Sequence, residues 1–464
     1  MYSCGYKKSL GRQEQPGSVN AQFIVIITLS VIAIAVRLTF LHLYPPVAPY
    51  SDMSAYDGLA WRLAQGLGYV TLEGAFTAYW PVGYPAFLSV MYLVCGHEPG
   101  CGYFANLVLA AAIVVAVYLL IAKLSGSQTA AVWGALFMAL YPDSIAYSGL
   151  LLSELLYTAL LLVGVVLLIG AIDRIPDSAK IAATLAFLAG VIFGMATLVR
   201  PLAALLLLPV VAVLLVHDRP GEWLARRQWM SLSIASKWVF LCILLLGSAI
   251  PVSVWSVRNY LVFERFVFVS TNGGVNLLIG NHALADGTYV EDVQTSQLFS
   301  EYPDEIKRDA AARQRAMTYI ASSIPTVIGE LAPFKLQSMF RDQGDGFMLA
   351  WKAYSVIPFG DPAWERSGVG VVTKLLIRLR SWAYLFALAG FVLYCVLLIP
   401  GRLPWFPVLI TLYHIGVTMI FFGATRYREP LIPFWVIGIG CMSAYLLRQW
   451  PRISIFEALF LNRG

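Results

Sequence analysis

The chain has 464 residues, 59% of them hydrophobic and only 12% charged, with a mean hydropathy of +0.73. So few charges cannot wet the surface of a soluble protein this long, and several runs reach the ~20 apolar residues that cross a ~30 Å hydrocarbon core. The reading is an all-α polytopic membrane protein. The net charge of +6 points to membrane orientation rather than nucleic acid, because no Walker lysine loop, zinc-ligand spacing or dinucleotide fingerprint is present. No internal repeat stands out.

In chain order, Lys7, Lys8 and Arg12 precede a first apolar run at about 22–41. Ala33-Ile34-Ala35 resembles a signal cleavage site, but the run continues past it, so it is read as a span. Further spans are expected at about 103–122, 129–142, 152–171, 181–198, 202–216, 238–256, 379–399, 405–422 and 430–447. The segment 81–96 is short and carries Pro81 and Pro85. Whether it crosses decides the orientation of everything after it. If it lies on the surface, the inner segments hold Lys7, Lys8, Arg12, Lys123, Arg174, Lys180, Arg219, Arg226, Arg227, Lys237, Arg402, Arg448, Arg452 and Arg463. The short outer segments hold Arg62, Arg200, Arg426 and Arg428. Fourteen basic residues against four is the bias of the positive-inside rule, so about ten spans with both ends in the cytoplasm are predicted. The basic stretch at 217–228 is then a cytoplasmic connector that touches lipid headgroups.

This topology divides the chain into an N-terminal membrane module at 1–256, an extracytoplasmic region at 257–378 and C-terminal membrane helices at 379–464. The first outer loop, 42–102, holds "SDMSAYDGLAWRLAQGLGY". Leu59, Leu63 and Leu67 recur there at helical spacing, as in an interfacial amphipathic helix. Asp52 stands before that helix and Tyr56 four residues later; an aspartate so placed is an N-cap or a functional acid. Glu154 sits at the outer entrance of an apolar span, and Arg200, Arg258, Arg426 and Arg428 at outer ends. Charge near hydrocarbon pairs with opposite charge or lines a polar cavity. Acids and arginines delivered to one face by several spans indicate an active site at the membrane surface.

In the region 257–378, alternating Phe266, Phe268 and Ser270 suggest a short strand, and Asn272-Gly273-Gly274 a turn. No helix pattern opens at those glycines. "EYPDEIKRDAAARQRAM" reads as a surface helix with solvated charges, and "IPTVIGELAPFKLQSMF" as an amphipathic return to the membrane surface. Cys95 and Cys101 flank "GHEPG" closely enough for a disulfide in an oxidising compartment; His97 and Glu98 between them leave a metal site as the competing reading.

Taken in order, "SDMSAYDGLAWRLAQG", "WPVGYPAFL", "YPDSIAYSGLLLSE", "LVRP", "RNYLVFERFVFVSTNGGVNLLIGN" and "TRYREPLIP" resemble the GT-C superfamily of polytopic glycosyltransferases. The similarity is to bacterial relatives of protein O-mannosyltransferases and of the lipid A aminoarabinose transferase. It implies a GT-C-like fold, a polyprenyl-phosphate-sugar donor, 81–96 as a juxtamembrane helix and Asp52 as the catalytic acid of the first outer loop. Many relatives carry two adjacent acids there, where this chain has Met53. That departure weakens any inherited metal or paired-acid mechanism, although a divalent metal stays open as a cofactor.

The chemistry suggested is sugar transfer to an acceptor hydroxyl on a protein, glycolipid or polysaccharide at the extracytoplasmic face of a bacterial-type inner membrane. Asp52 takes the hydroxyl proton, and Glu154 positions a substrate or an arginine. Arg258, Arg426, Arg428 and Arg200 are expected on the donor phosphate, since a planar guanidinium grips two phosphate oxygens. Tyr56, Asn272, Gly273, Asn276 and Asn281 are assigned to the substrate pocket. Apart from donor and acceptor, membrane lipids are the expected partners. The rival reading is a transporter or flippase of a lipid-linked sugar, which places charges near the bilayer midplane and often shows inverted repeats.

Overall fold

Proline-free apolar sequence makes α1 (Val19–Leu43), and similar runs make α4 (Pro99–Ser125), α6 (Glu154–Arg174) and α7 (Ala179–Val199). Two shorter helices, α2 (Asp52–Ala64) and α3 (Gly83–Cys95), lie between α1 and α4; α5 (Gln128–Ala139) follows α4, and α8 (Ile234–Phe263) follows α7. The computed structural model describes residues 19–46, 48–207, 233–289, 293–342, 368–398 and 406–449. The connector at 217–228, most of the span expected at 202–216 and the terminal basic residues Lys7, Lys8, Arg12, Arg452 and Arg463 lie outside them, as do Arg219, Arg226, Arg227 and Arg402.

The region after α8 folds as short helices: α9 (Gly273–Ile279), α10 (Val293–Glu301), α11 (Glu305–Ser322) and α12 (Ala332–Phe340). Then come α13 (Gly368–Leu393), α14 (Phe406–Ile420) and α15 (Ile432–Gln449). Among the described residues, seven helices are long and apolar enough to cross a membrane, and α3, α5 and α14 are shorter apolar helices. This is an all-α polytopic membrane protein. At 13 residues α3 is about 20 Å long, short of a ~30 Å core, and it packs on α2 with Tyr84 edge-on to Tyr56.

The helix α13 begins well before the apolar run that betrays it, because Lys374, Arg378 and Arg380 dilute its hydropathy. Arg380 is nonetheless buried, 3.9 Å from Asp143 and 3.5 Å from Asp342. The strand read at 266–270 does not form. Its carbonyls are taken by side chains of α8 instead: Asn259 donates to Val267, Ser256 to Phe268 and Trp255 to Val269. With those acceptors filled there is nothing left for a ladder. The glycines do open a helix, α9, and a Cβ on Gly274 would stand 2.1 Å from the Asp309 carbonyl oxygen. The charges of α11 are not all solvated either: Arg308 and Asp309 are buried, and Asp309 accepts from the Gly274 amide.

Small residues let α7 and α8 touch backbone to backbone, the usual device for packing helices in lipid. A Cβ on Gly190 would lie 2.1 Å from the Leu244 carbonyl oxygen, and one on Gly247 2.3 Å from that of Phe187. At Gly170 the nearest atom would be the Leu185 side chain at 3.9 Å. Gly190→Ala therefore lowers the thermal midpoint in detergent, by an overpacking penalty of about 1–3 kcal/mol, whereas Gly170→Ala does not. Equal midpoints for the two variants would contradict this packing.

Candidate functional site

A cavity of about 560 Å³ opens where α2, the N-terminus of α6, the C-terminus of α7, α9 and the turn before α15 converge. Asp52, Tyr56, Glu154, Arg200, Asn272, Gly273, Asn276 and Arg426 all line it. Asp52 is not a cap. It is the first helical residue of α2, behind Ser51, whose φ of 52° lies in the left-handed region. Such strain in a non-glycine residue is held by its surroundings and concentrates at functional sites. The carboxylate accepts from Arg426 Nη1 at 3.0 Å, and each partner is a quarter exposed. Glu154, at the first turn of α6, accepts from Arg200 Nη2 at 2.7 Å, with the glutamate side chain only 3% exposed. Its other oxygen, Oε2, is buried with no hydrogen-bond partner among the described residues. Arg200 lies over the rings of Tyr157 and Tyr427, and Arg426 over Tyr427, so the two guanidinium groups share one tyrosine ring. Burial pushes the Tyr56 hydroxyl above its usual range, and Asp52 and Glu154 add to the shift. It stays protonated.

Three residues assigned to the site from sequence lie elsewhere. Arg428 is fully buried, donates to the Met339 and Arg341 carbonyls, and covers the Tyr384 ring at 3.9 Å. The turns Thr425–Tyr427 and Glu429–Leu431 are 3₁₀, and at about 120° per residue two positions two apart point to different sides. Of the two arginines, Arg426 lines the cavity and Arg428 does not. Arg258 donates to the Thr77 and Tyr69 carbonyls at 2.9 and 3.0 Å and stacks on Trp255, which fastens the first outer loop to α8. Asn281 is buried, donates to the Ile420 carbonyl and accepts from Lys335 Nζ at 2.8 Å. These side chains hold backbone in place. A fourth fastening comes from Glu305, which accepts from Thr77 Oγ1 at 2.7 Å and the Ala78 amide at 2.8 Å.

No family model matches the chain, and no curated protein matches it. Solved structures do. The oligosaccharyltransferase AglB from Archaeoglobus fulgidus, in complex with an inhibitory peptide and a dolichol-phosphate, matches with a TM-score of 0.51 at 14% identity. The match covers 95% of this chain and 52% of that one, so the chain spans about half the length of the archaeal protein. This is the GT-C fold. ArnT from Cupriavidus metallidurans bound to undecaprenyl phosphate matches with a TM-score of 0.41 at 12% identity, over 90% of this chain and 77% of that one.

On this GT-C scaffold the sequence reading missed the aromatic wall of the cavity: Tyr79, Trp80, Tyr157, Phe299, Tyr413 and Tyr427. Aromatic residues make up 13% of the chain, so nothing in the pattern singles these out. The residues present do not fit a divalent cation. Each cavity carboxylate already carries an arginine, and no cluster of three His, Cys, Asp or Glu occurs among the described residues. Outside the cavity Cys95 and Cys101 are joined by a disulfide, and His97 stacks on Trp61 and bonds Asp57 at 2.9 Å.

Lys335 offers a pH test of the layer around the site. It is fully buried against Asn281 and the Met419 carbonyl, and desolvation pushes its ammonium down to about 8 from 10.5. Between those values the unfolded chain holds a proton that the folded chain has released, so stability rises with pH across this window. The wild-type thermal midpoint should rise relative to that of Lys335→Met as pH goes from about 8 towards 10.5. A constant difference would show that Lys335 keeps its ordinary basicity.

Proposed function

We propose that the chain is a membrane glycosyltransferase that moves a sugar from a polyprenyl-phosphate donor to an acceptor hydroxyl at the extracytoplasmic face. The observation that carries this reading is the pairing of two carboxylates with two arginines around one cavity at the ends of apolar helices. A hydroxyl is a weak nucleophile, and Asp52 is the acid with solvent access to take its proton. The acceptor oxygen bonds to the sugar's anomeric carbon as the bond from that carbon to the phosphate oxygen breaks. The departing polyprenyl phosphate gains charge, and Arg426 and Arg200 are placed to receive it. Glu154 fixes Arg200 and offers its unpartnered oxygen to a sugar hydroxyl. The aromatic wall suits the apolar faces of a sugar ring. The dolichol-phosphate held by the archaeal structure favours a lipid phosphate over a nucleotide donor. A transporter is the weaker reading, because the cavity charges sit at helix ends rather than at mid-span.

Purified protein offered a panel of labelled polyprenyl-phosphate sugars should transfer at least one, and Asp52→Asn should lose roughly 10²-fold or more of that turnover. A folded Asp52→Asn protein with near wild-type transfer would sink the assignment of the base. Sidedness has its own test. Leu72, 84% exposed at the tip of the first outer loop, and Lys123, at the far end of α4, should label from opposite sides as cysteine variants. In inside-out vesicles, an impermeant thiol reagent should reach Lys123→Cys and miss Leu72→Cys. The reverse result would turn the site to the cytoplasm.

A further inference from the structure

At rest the cavity is electrically balanced, with Asp52 and Glu154 set against Arg200 and Arg426. One arm of the fork that would grip a phosphate, Arg426 Nη1, and one oxygen of the acid that would take a proton, Asp52 Oδ2, are engaged with each other. In that arrangement a lipid phosphate meets an Arg426 fork with one arm engaged, and a hydroxyl meets an Asp52 with Oδ2 engaged. For a whole guanidinium fork to grip two phosphate oxygens, one of the two pairs has to open.

The surroundings decide which. Glu154 is 3% exposed, and its arginine is further held by Ser153 Oγ at 3.4 Å and by the Tyr157 ring. Removing Arg200 would leave a buried carboxylate without a counter-charge, which is strongly destabilising. Asp52 and Arg426 are each a quarter exposed, so water can take over whichever partner is released. Asp52 also sits on the first turn of an outer-loop helix, whereas Glu154 is set into a membrane helix.

We infer that Arg426 exchanges partners, leaving Asp52 for the phosphate of the incoming donor, so that donor binding itself uncovers the base. This rests on the proposed function and deepens it. A donor phosphodiester carries one negative charge, and the departing monoester carries more, so the pull on Arg426 grows as the sugar leaves. Asp52 is then released to the acceptor hydroxyl while the donor is bound, and paired with Arg426 when it is not. The donor accordingly binds first.

The exchange makes a counterintuitive prediction, since deleting the catalytic acid should improve binding of the lipid phosphate. Farnesyl phosphate, titrated calorimetrically into the purified full chain, should bind Asp52→Asn and Asp52→Ser about tenfold tighter than wild type, or ~1.4 kcal/mol. Asp52→Glu, which keeps the competing charge, should bind no tighter than wild type. Adding Arg426→Ala to Asp52→Asn should abolish the gain. Asn and Ser variants that bind no tighter than wild type would overturn the exchange while leaving the glycosyltransferase reading in place. So would an equal gain in the Glu variant, which would trace the effect to shape. If neither wild type nor any variant binds farnesyl phosphate, the polyprenyl-phosphate reading fails, and the exchange fails with it.

Discussion

The ion pair between Asp52 and Arg426 joins residues 374 positions apart, and the candidate site exists because of it. One partner comes from the first turn of α2 and the other from the turn before α15. At a membrane edge, where isolated charge is costly, the pair gives each group a reason to face the same space. It also ties the two ends of the chain around the cavity. The second pair, Glu154 with Arg200, is buried more deeply and behaves as part of the wall. The two carboxylate–arginine pairs thus differ in exposure, the first open to solvent and the second closed in by its neighbours.

Around this centre lies a layer of charged residues whose task is to hold backbone. Arg258 and Glu305 grip opposite sides of the segment from Tyr69 to Ala78, and so place Tyr79 and Trp80 at the cavity wall. Lys335 links α9 and α12 to the end of α14, and Arg428 anchors the turn that carries Arg426. Arg258, Lys335 and Arg428 donate to backbone carbonyl oxygens, and Glu305 accepts from a hydroxyl and a backbone amide. Buried backbone acceptors must be satisfied, and long cationic side chains reach them where no neighbouring strand or helix can. A charged residue in an apolar chain therefore has two common fates, the site or its scaffold.

Hydropathy made most membrane helices legible, because lipid demands a long apolar run whatever the helix packs against. It failed at the start of α13, where Lys374, Arg378 and Arg380 interrupt the run while the helix continues. Asp52, Glu154, Arg200 and Arg426 could be picked out because charge is rare in this chain and stands at the ends of apolar segments. Arg428 and Arg258 carry the same signal and do not reach the cavity. One residue separates Arg426 from Arg428, and the helical geometry of the turn sends them apart. The strand read at 266–270 has the right alternation, but α8 claims its carbonyls first.

By itself the sequence determined a polytopic helical membrane protein, the approximate place of its helices and a small set of charges set apart from an apolar background. Those properties follow from solvation, and each segment meets its solvent independently of the others. The tertiary structure alone decided which charge faces which, that Asp52 opens a helix instead of capping it, and which aromatic residues wall the cavity. Partners such as Asp52 and Arg426, or Thr77 and Glu305 at 228 positions apart, meet only once the helices between them have packed. A hydrogen bond acts over about 3 Å, and composition and periodicity carry no information at that range between residues so distant in the chain.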